Sequence, residues 1–136
     1  LGFGSTRSKG ADGEERALKH LQKQGLKLEA RNYRIGGGPR RPAGEIDLVM
    51  RDRAGVLVFV EVRQRGGGSH GGAAASIDAA KRRRLVRAAQ HYLLKLPQLP
   101  PCRFDVVAID GERIEWQHRQ MHRQAVDFVR RALDLP

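Results

Sequence analysis

Cysteine is almost missing from this 136-residue chain: Cys102 stands alone. No internal disulfide can form, and the usage fits a reducing cytoplasm, where the protein is expected to reside. Long hydrophobic runs are missing too. The longest, Val56 to Val60, is far below the roughly 20 residues that cross a bilayer, so no transmembrane helix is expected. Nor do the first residues, Leu1-Gly2-Phe3-Gly4-Ser5, carry the apolar stretch of a signal peptide. Aromatic residues make up only 5% of the chain, which argues against a stacking platform for single-stranded nucleic acid. No Gly-Lys-Ser/Thr follows the glycine-rich run Arg65 to Gly72, so that loop does not read as a P-loop. His118 and His122 have the spacing of zinc ligands but lack a third ligand and a His-Glu-x-x-His pattern. No serine or cysteine stands beside a base in a nucleophile pattern, so acyl transfer is unsupported.

Negative charge is the scarce sign. Asp and Glu number 15 against 26 Lys and Arg, a net charge of +11 at neutral pH, which points to a polyanionic partner and to nucleic acid first. An anionic membrane is the rival partner, but it would need large apolar residues opposite the basic ones, and the most basic helical segment has alanines there. With 40% hydrophobic and 30% charged residues, the chain suits one domain over 11–136 behind a flexible basic start at 1–10.

Hydrophobic periodicity and turn residues give the order of elements. Asp12 and Glu15 have capping-box spacing and Gly25 is a stop, so a first helix is expected over 12–24 with Ala17, Leu18 and Leu21 on its apolar face. Strands follow at Leu26 to Ile35, Glu45 to Asp52 and Val56 to Arg63, the last a β-branched run suited to a central strand covered on both faces. A long helix from a Ser76 cap to Leu96 points Leu85, Ala88, Ala89, Tyr92, Leu93 and Leu96 inward. Strands at Arg103 to Ile109 and Arg113 to His118 flank an Asp110-Gly111 turn, and a last helix covers about Arg123 to Leu133. The order αβββαβ predicts an α/β fold with a central mixed β-sheet flanked by helices.

Glu61 interrupts the most hydrophobic strand, where an isolated carboxylate would cost several kcal/mol or be driven to protonate. The loop Arg53-Ala54-Gly55 suits a three-residue hairpin with Gly55 left-handed. That register pairs Asp52 with Val56 and sets Asp47 opposite Glu61, with Cβ atoms about 5 Å apart. Two such carboxylates need a proton or a cation between them, and a hard divalent ion suits oxygen ligands. Arg63 projects from the same face as Glu61, about 6.6 Å further along. Glu14 falls in helical phase with Ala17, Leu18 and Leu21, on the buried face, whereas Glu15 is explained by the cap. Asp105, in strand phase with Arg103, reads as a salt-bridge partner. Lys81, near the start of the long helix, is expected to hold a phosphate, and Arg82, Arg83, Arg84 and Arg87 to form a backbone-binding face.

Gly13-Glu14-x-x-Ala17 with Leu21 and Gly25, Asn32-Tyr33-Arg34, Gly44-Glu45-Ile46-Asp47-Leu48-Val49, Val58-Phe59-Val60-Glu61-Val62-Arg63, Lys81-x-x-Arg84-Leu85 and Arg103-Phe104-Asp105-Val106-Val107 occur in this order. Together they resemble the bacterial YraN family of predicted endonucleases, over about Gly10 to Ile109. The resemblance implies a restriction-endonuclease-like fold, similar in its core to archaeal Holliday-junction resolvases. It makes Asp47 and Glu61 ligands of Mg²⁺ or Mn²⁺, Glu14 an auxiliary acid, and Arg63 the occupant of the superfamily's lysine position. Arginine there can orient or neutralise but not act as a general base. The function expected is metal-dependent hydrolysis of duplex or branched DNA, with Asp47, Glu61 and the Val62 carbonyl on the metal and a second copy of the chain as a candidate partner. The alternative is a degenerate nucleic-acid binder in which Arg63 permanently neutralises the two acids.

Overall fold

Seven elements follow one another among the residues described by a computed structural model, 5–38, 42–64 and 79–119. They are helix α1 (Ser5–Lys23), strands β1 (Lys27–Ile35), β2 (Gly44–Arg51) and β3 (Leu57–Gln64), helix α2 (Ala79–Leu94), and strands β4 (Cys102–Asp110) and β5 (Arg113–Arg119). The glycine-rich run with His70, the Ser76 cap, His122 and the expected last helix lie outside the described residues.

The sheet order is β1-β2-β3-β4-β5, antiparallel throughout except for the parallel pair β3–β4. The α/β architecture with a mixed sheet and αβββαβ order is thus the one expected. The reason is visible in β3, where Leu57, Val58, Phe59 and Val60 are all fully buried. Val58 and Val60 pack with Ala17, Leu18 and Leu21 of α1 on one face, while Leu57 and Phe59 pack with Leu85, Ala88, Ala89 and Leu93 of α2 on the other. A strand apolar at every position is stable only between two layers.

α1 begins earlier than the capping box suggests. Residues 5–10, expected to be a flexible lead-in, form its first turns, and Asp12 lies inside it rather than at its cap. Once the apolar stripe is anchored on the sheet, each preceding residue adds a hydrogen bond without a new nucleation cost, so Gly10 does not stop the helix. Glu15 is therefore free of capping duty and pairs with Arg31 of β1 at 3.2 Å. The C-terminus behaves as expected. Gly25 is left-handed (φ 96°), and the N–H groups of Gly25 and Leu26 donate to the Gln22 and Leu21 carbonyls at 3.0 and 3.1 Å.

The β2–β3 hairpin has the expected three-residue loop. Asp52 N–H donates to the Val56 carbonyl at 3.0 Å, Gly55 is left-handed (φ 86°), and Asp52 Oδ1 accepts the Ala54 and Val56 N–H groups at 2.9 Å each. α2 is expected to reach Leu96 but ends at Leu94, where the Lys95 and Leu96 N–H groups turn to the Tyr92 and Leu93 carbonyls in a tightened last turn. Its approach to the sheet is set by Gly44. A Cβ there would lie 2.9 Å from the Ala88 nitrogen and 3.0 Å from the Arg84 oxygen, so glycine lets the helix backbone rest directly on β2.

Candidate active site

Asp47 and Glu61 come together where β2 and β3 part. The ladder between the strands runs from Arg51↔Leu57 to Leu48↔Val60, in the expected register, and stops one step short of the two acids. β2 also changes face at this point, since Ile46 and Val49, three residues apart, both pack toward α2. The Asp47 carboxylate therefore does not simply stand opposite Glu61. It reaches across the gap, and its Oδ2 accepts the Val62 N–H at 2.8 Å, taking the place of a ladder hydrogen bond.

Glu61 keeps strand phase with Leu57 and Phe59 and so faces α2, at 1% exposure. Burial and the neighbouring Asp47 charge, with which it shares hydrogen-bonding reach, push its carboxyl up to about 8, despite the opposing effect of Lys81. The Lys81 ammonium of α2 lies 2.5 Å from Glu61 Oε1. Neither Glu61 oxygen meets a donor in good hydrogen-bond geometry among the described residues, so this contact acts through distance and charge. The sequence places Lys81 on a phosphate; the fold places it on the anomalous acid. Arg63, half-buried, follows on the same phase of β3.

Glu14 enters from α1. Burial and the Asp47 charge raise its carboxyl above the usual range, while Asn32, Arg31 and Arg34 draw it down. Asn32, with its amide oriented to satisfy both groups, donates to the two Glu14 oxygens at 3.2 and 3.3 Å. It is the sole non-glycine with positive φ (49°) among the described residues, and asparagine tolerates that conformation better than most side chains. Ala30 and Tyr33 both pack toward α2, so β1 changes face around Asn32, and this residue can turn back to α1. Asn32 enters the sequence reading only as part of the Asn32-Tyr33-Arg34 motif, because its signal as a partner of Glu14, a polar residue inside an alternating strand, is weak.

The structure thus gathers Glu14, Asp47, Glu61 and Lys81 from α1, β2, β3 and α2. Among the described residues no group of three acidic, histidine or cysteine side chains converges closely enough to hold a metal by itself. A two-carboxylate site remains chemically suited to Mg²⁺ or Mn²⁺, which takes few protein oxygens and fills its shell with water and substrate phosphate. The mutual repulsion of Asp47 and Glu61, now offset by Lys81, is the observation that fits such an ion. Beside the site, Arg82, Arg83 and Arg87 are exposed on α2, while Arg84 is half-buried.

A second acid cluster is structural. Asp105, fully buried, accepts from Arg103 Nε at 3.0 and 3.3 Å and from Trp116 Nε1 at 2.7 Å, and lies 3.1 Å from His118 Nδ1. The Arg103–Asp105 pair is the one their strand phase had suggested; Arg103 also reaches Asp52 at 2.9 Å, which the phase does not show.

An α/β scaffold with an acid pair at a strand divergence and a basic helix beside it is the setting in which the comparisons with known proteins fall. Residues 13–109 match the model of the uncharacterised protein family UPF0102, and the chain belongs to that family, the YraN family. A UPF0102 protein of Methylibium petroleiphilum is 61% identical over 82% of this chain and 92% of its own length. Another, of Paracidovorax citrulli, is 59% identical over 82% of this chain and 81% of its own. The crystal structure of SSO0001 superposes with a TM-score of 0.43 and 17% identity over 96% of this chain, which spans 60% of that one. No helix among the described residues is long and apolar enough to cross a membrane.

Proposed function

We propose that this protein is a metal-dependent nuclease that hydrolyses phosphodiesters in duplex or branched DNA in the bacterial cytoplasm. The observation that carries the reading is the pair Asp47 and Glu61, pressed together at the open end of two strands with Glu61 buried and beside a lysine. Buried carboxylates with raised pKa values are costly to keep and are characteristic of working sites. Asp47 and Glu61, with the Val62 carbonyl, would hold Mg²⁺ or Mn²⁺. Bound there, the ion would supply a Lewis acid and an activated water for in-line attack at phosphorus. Arg63, a guanidinium, stabilises charge on the phosphoryl oxygens, and Glu14 is an auxiliary acid that feels the charge of Asp47. Arg82, Arg83 and Arg87 bind the sugar-phosphate backbone without reading sequence.

Calorimetry with Mn²⁺ tests the metal, and cleavage of linear and branched duplexes tests the chemistry. Asp47→Asn should abolish Mn²⁺ binding, and Glu61→Gln should abolish cleavage while leaving DNA binding intact or stronger, since one charge repelling phosphate is removed. A parent protein that binds no divalent ion and cuts no DNA overturns the reading.

A further inference from the structure

Lys81 is the unexplained member of the site. Its ammonium is partly covered, with the side chain 23% exposed, and it lies against a carboxylate that is 1% exposed. It also stands one residue before Arg82 and Arg83, which begin the exposed basic face of α2. One side chain therefore touches the buried acid and still borders solvent at the start of the basic helix. A lysine is suited to moving between these positions, being a compact charge on a flexible four-carbon stem.

We propose that Lys81 is an exchangeable counter-cation: it occupies Glu61 in the metal-free protein, yields that carboxylate to a divalent ion, and transfers its charge to a DNA phosphate. The proposal rests on the nuclease reading above. It follows from the geometry, since the Lys81 ammonium already lies against Glu61, and a divalent ion on the same carboxyl would crowd two cations on one oxygen pair. It also makes metal and DNA mutually supportive ligands. Metal frees a phosphate contact, and a phosphate that captures Lys81 bares the metal site; this coupling is necessarily reciprocal.

The unaltered protein provides the first test. Lysines are labelled briefly with acetic anhydride and quantified by mass spectrometry in EDTA, in Mg²⁺, in Ca²⁺, and in Ca²⁺ with duplex DNA, where Ca²⁺ replaces Mg²⁺ to prevent cleavage. Labelling of Lys81 should rise at least fivefold with Mg²⁺ and fall again with DNA, while that of the exposed Lys19 stays unchanged with Mg²⁺. The second test compares DNA affinity with salt for the parent and Lys81→Met at fixed Ca²⁺ and in EDTA. In Ca²⁺ the parent's log-log slope should exceed the variant's by about 0.9, one phosphate contact, and in EDTA the two should agree. Thermal melts of Lys81→Met establish that it is folded, and the labelling experiment stands without it. Unchanged Lys81 labelling in a protein whose Mg²⁺ binding is lost in Asp47→Asn overturns the exchange but leaves the nuclease reading standing. Absence of any divalent-ion binding overturns both.

Discussion

Glu61 and Asp105 are two buried carboxylates on neighbouring parallel strands, one register step apart, and they face opposite helices. Asp105 looks toward α1 and is surrounded by donors: Arg103 twice, Trp116, and His118 within reach. Glu61 looks toward α2 and has, among the described residues, the Asp47 carboxyl and the Lys81 ammonium beside it. Burial is equal, so burial alone does not identify a working residue. What separates them is compensation. A buried polar group whose partners are complete stabilises one arrangement, whereas one left under-satisfied stores free energy that a ligand can release.

The largest effect expected from breaking this comparison is at Asp105. Asp105→Ala removes the buried acceptor that Arg103 and Trp116 share, with the charge-assisted hydrogen bonds it takes, and should cost about 3 kcal/mol or more in urea unfolding. Glu61→Gln, by contrast, should cost little or stabilise the protein in metal-free buffer, because it removes the cost of keeping a buried carboxyl protonated beside Asp47. Equal losses in the two variants would make Glu61 structural.

Gly44→Ala should fall between, at about 1–3 kcal/mol, because its methyl group meets the α2 backbone as well as the Ile35 side chain, and the backbone cannot step aside as a side-chain end can. It lifts α2, and with it Lys81, from the sheet, so it should also loosen the Glu61 contact. A stability within experimental error of the parent would show that the helix accommodates the methyl group.

The pH dependence sharpens the contrast further. The ordinary glutamate value is 4.5, and burial with the Asp47 charge raises Glu61 to about 8 in the folded state. Between these values the folded protein holds a proton that the unfolded chain releases. The contribution of this group to stability is thus full below about pH 4.5 and is lost as pH rises through about 8. Unfolding free energies measured across this window should decline with pH in the parent and decline less in Glu61→Gln. Parallel curves would show that Glu61 ionises normally.

The smallest effect on stability is expected on the outer face of α2. Replacing Arg82, Arg83 and Arg87 together by alanine should change unfolding by less than about 0.5 kcal/mol per site, as these side chains are exposed. The salt dependence of duplex binding should nevertheless flatten by about 2.7 log-log units for three lost phosphate contacts. An unchanged slope would remove this face from the DNA interface.

How much was legible beforehand follows from which physical signals are local. The unbroken apolar run around Phe59 announces a strand covered on both sides, and Gly55 and Gly25 announce their turns through left-handed backbone. Glu61 stands out because it violates its own neighbourhood, and the hairpin loop brings Asp47 within a step of it by counting alone. Helix starts are less local. The extension of α1 to Ser5 depends on anchorage of Ala17, Leu18 and Leu21 to the sheet, which a capping pattern at Asp12 cannot report.

The amino-acid sequence by itself determined the order of elements, the two-sided burial of β3, the register of the β2–β3 hairpin and the presence of an acid that its strand does not explain. Tertiary structure alone decided that β2 and β3 part just before the acids, that Asp47 takes the Val62 N–H, and that Lys81, twenty positions beyond Glu61, becomes its counter-charge. The division has a physical reason. Periodicity and turn conformation arise from interactions within a few residues, whereas charge compensation in an interior depends on which distant side chain the packing of a helix, here α2 on Gly44, brings within reach.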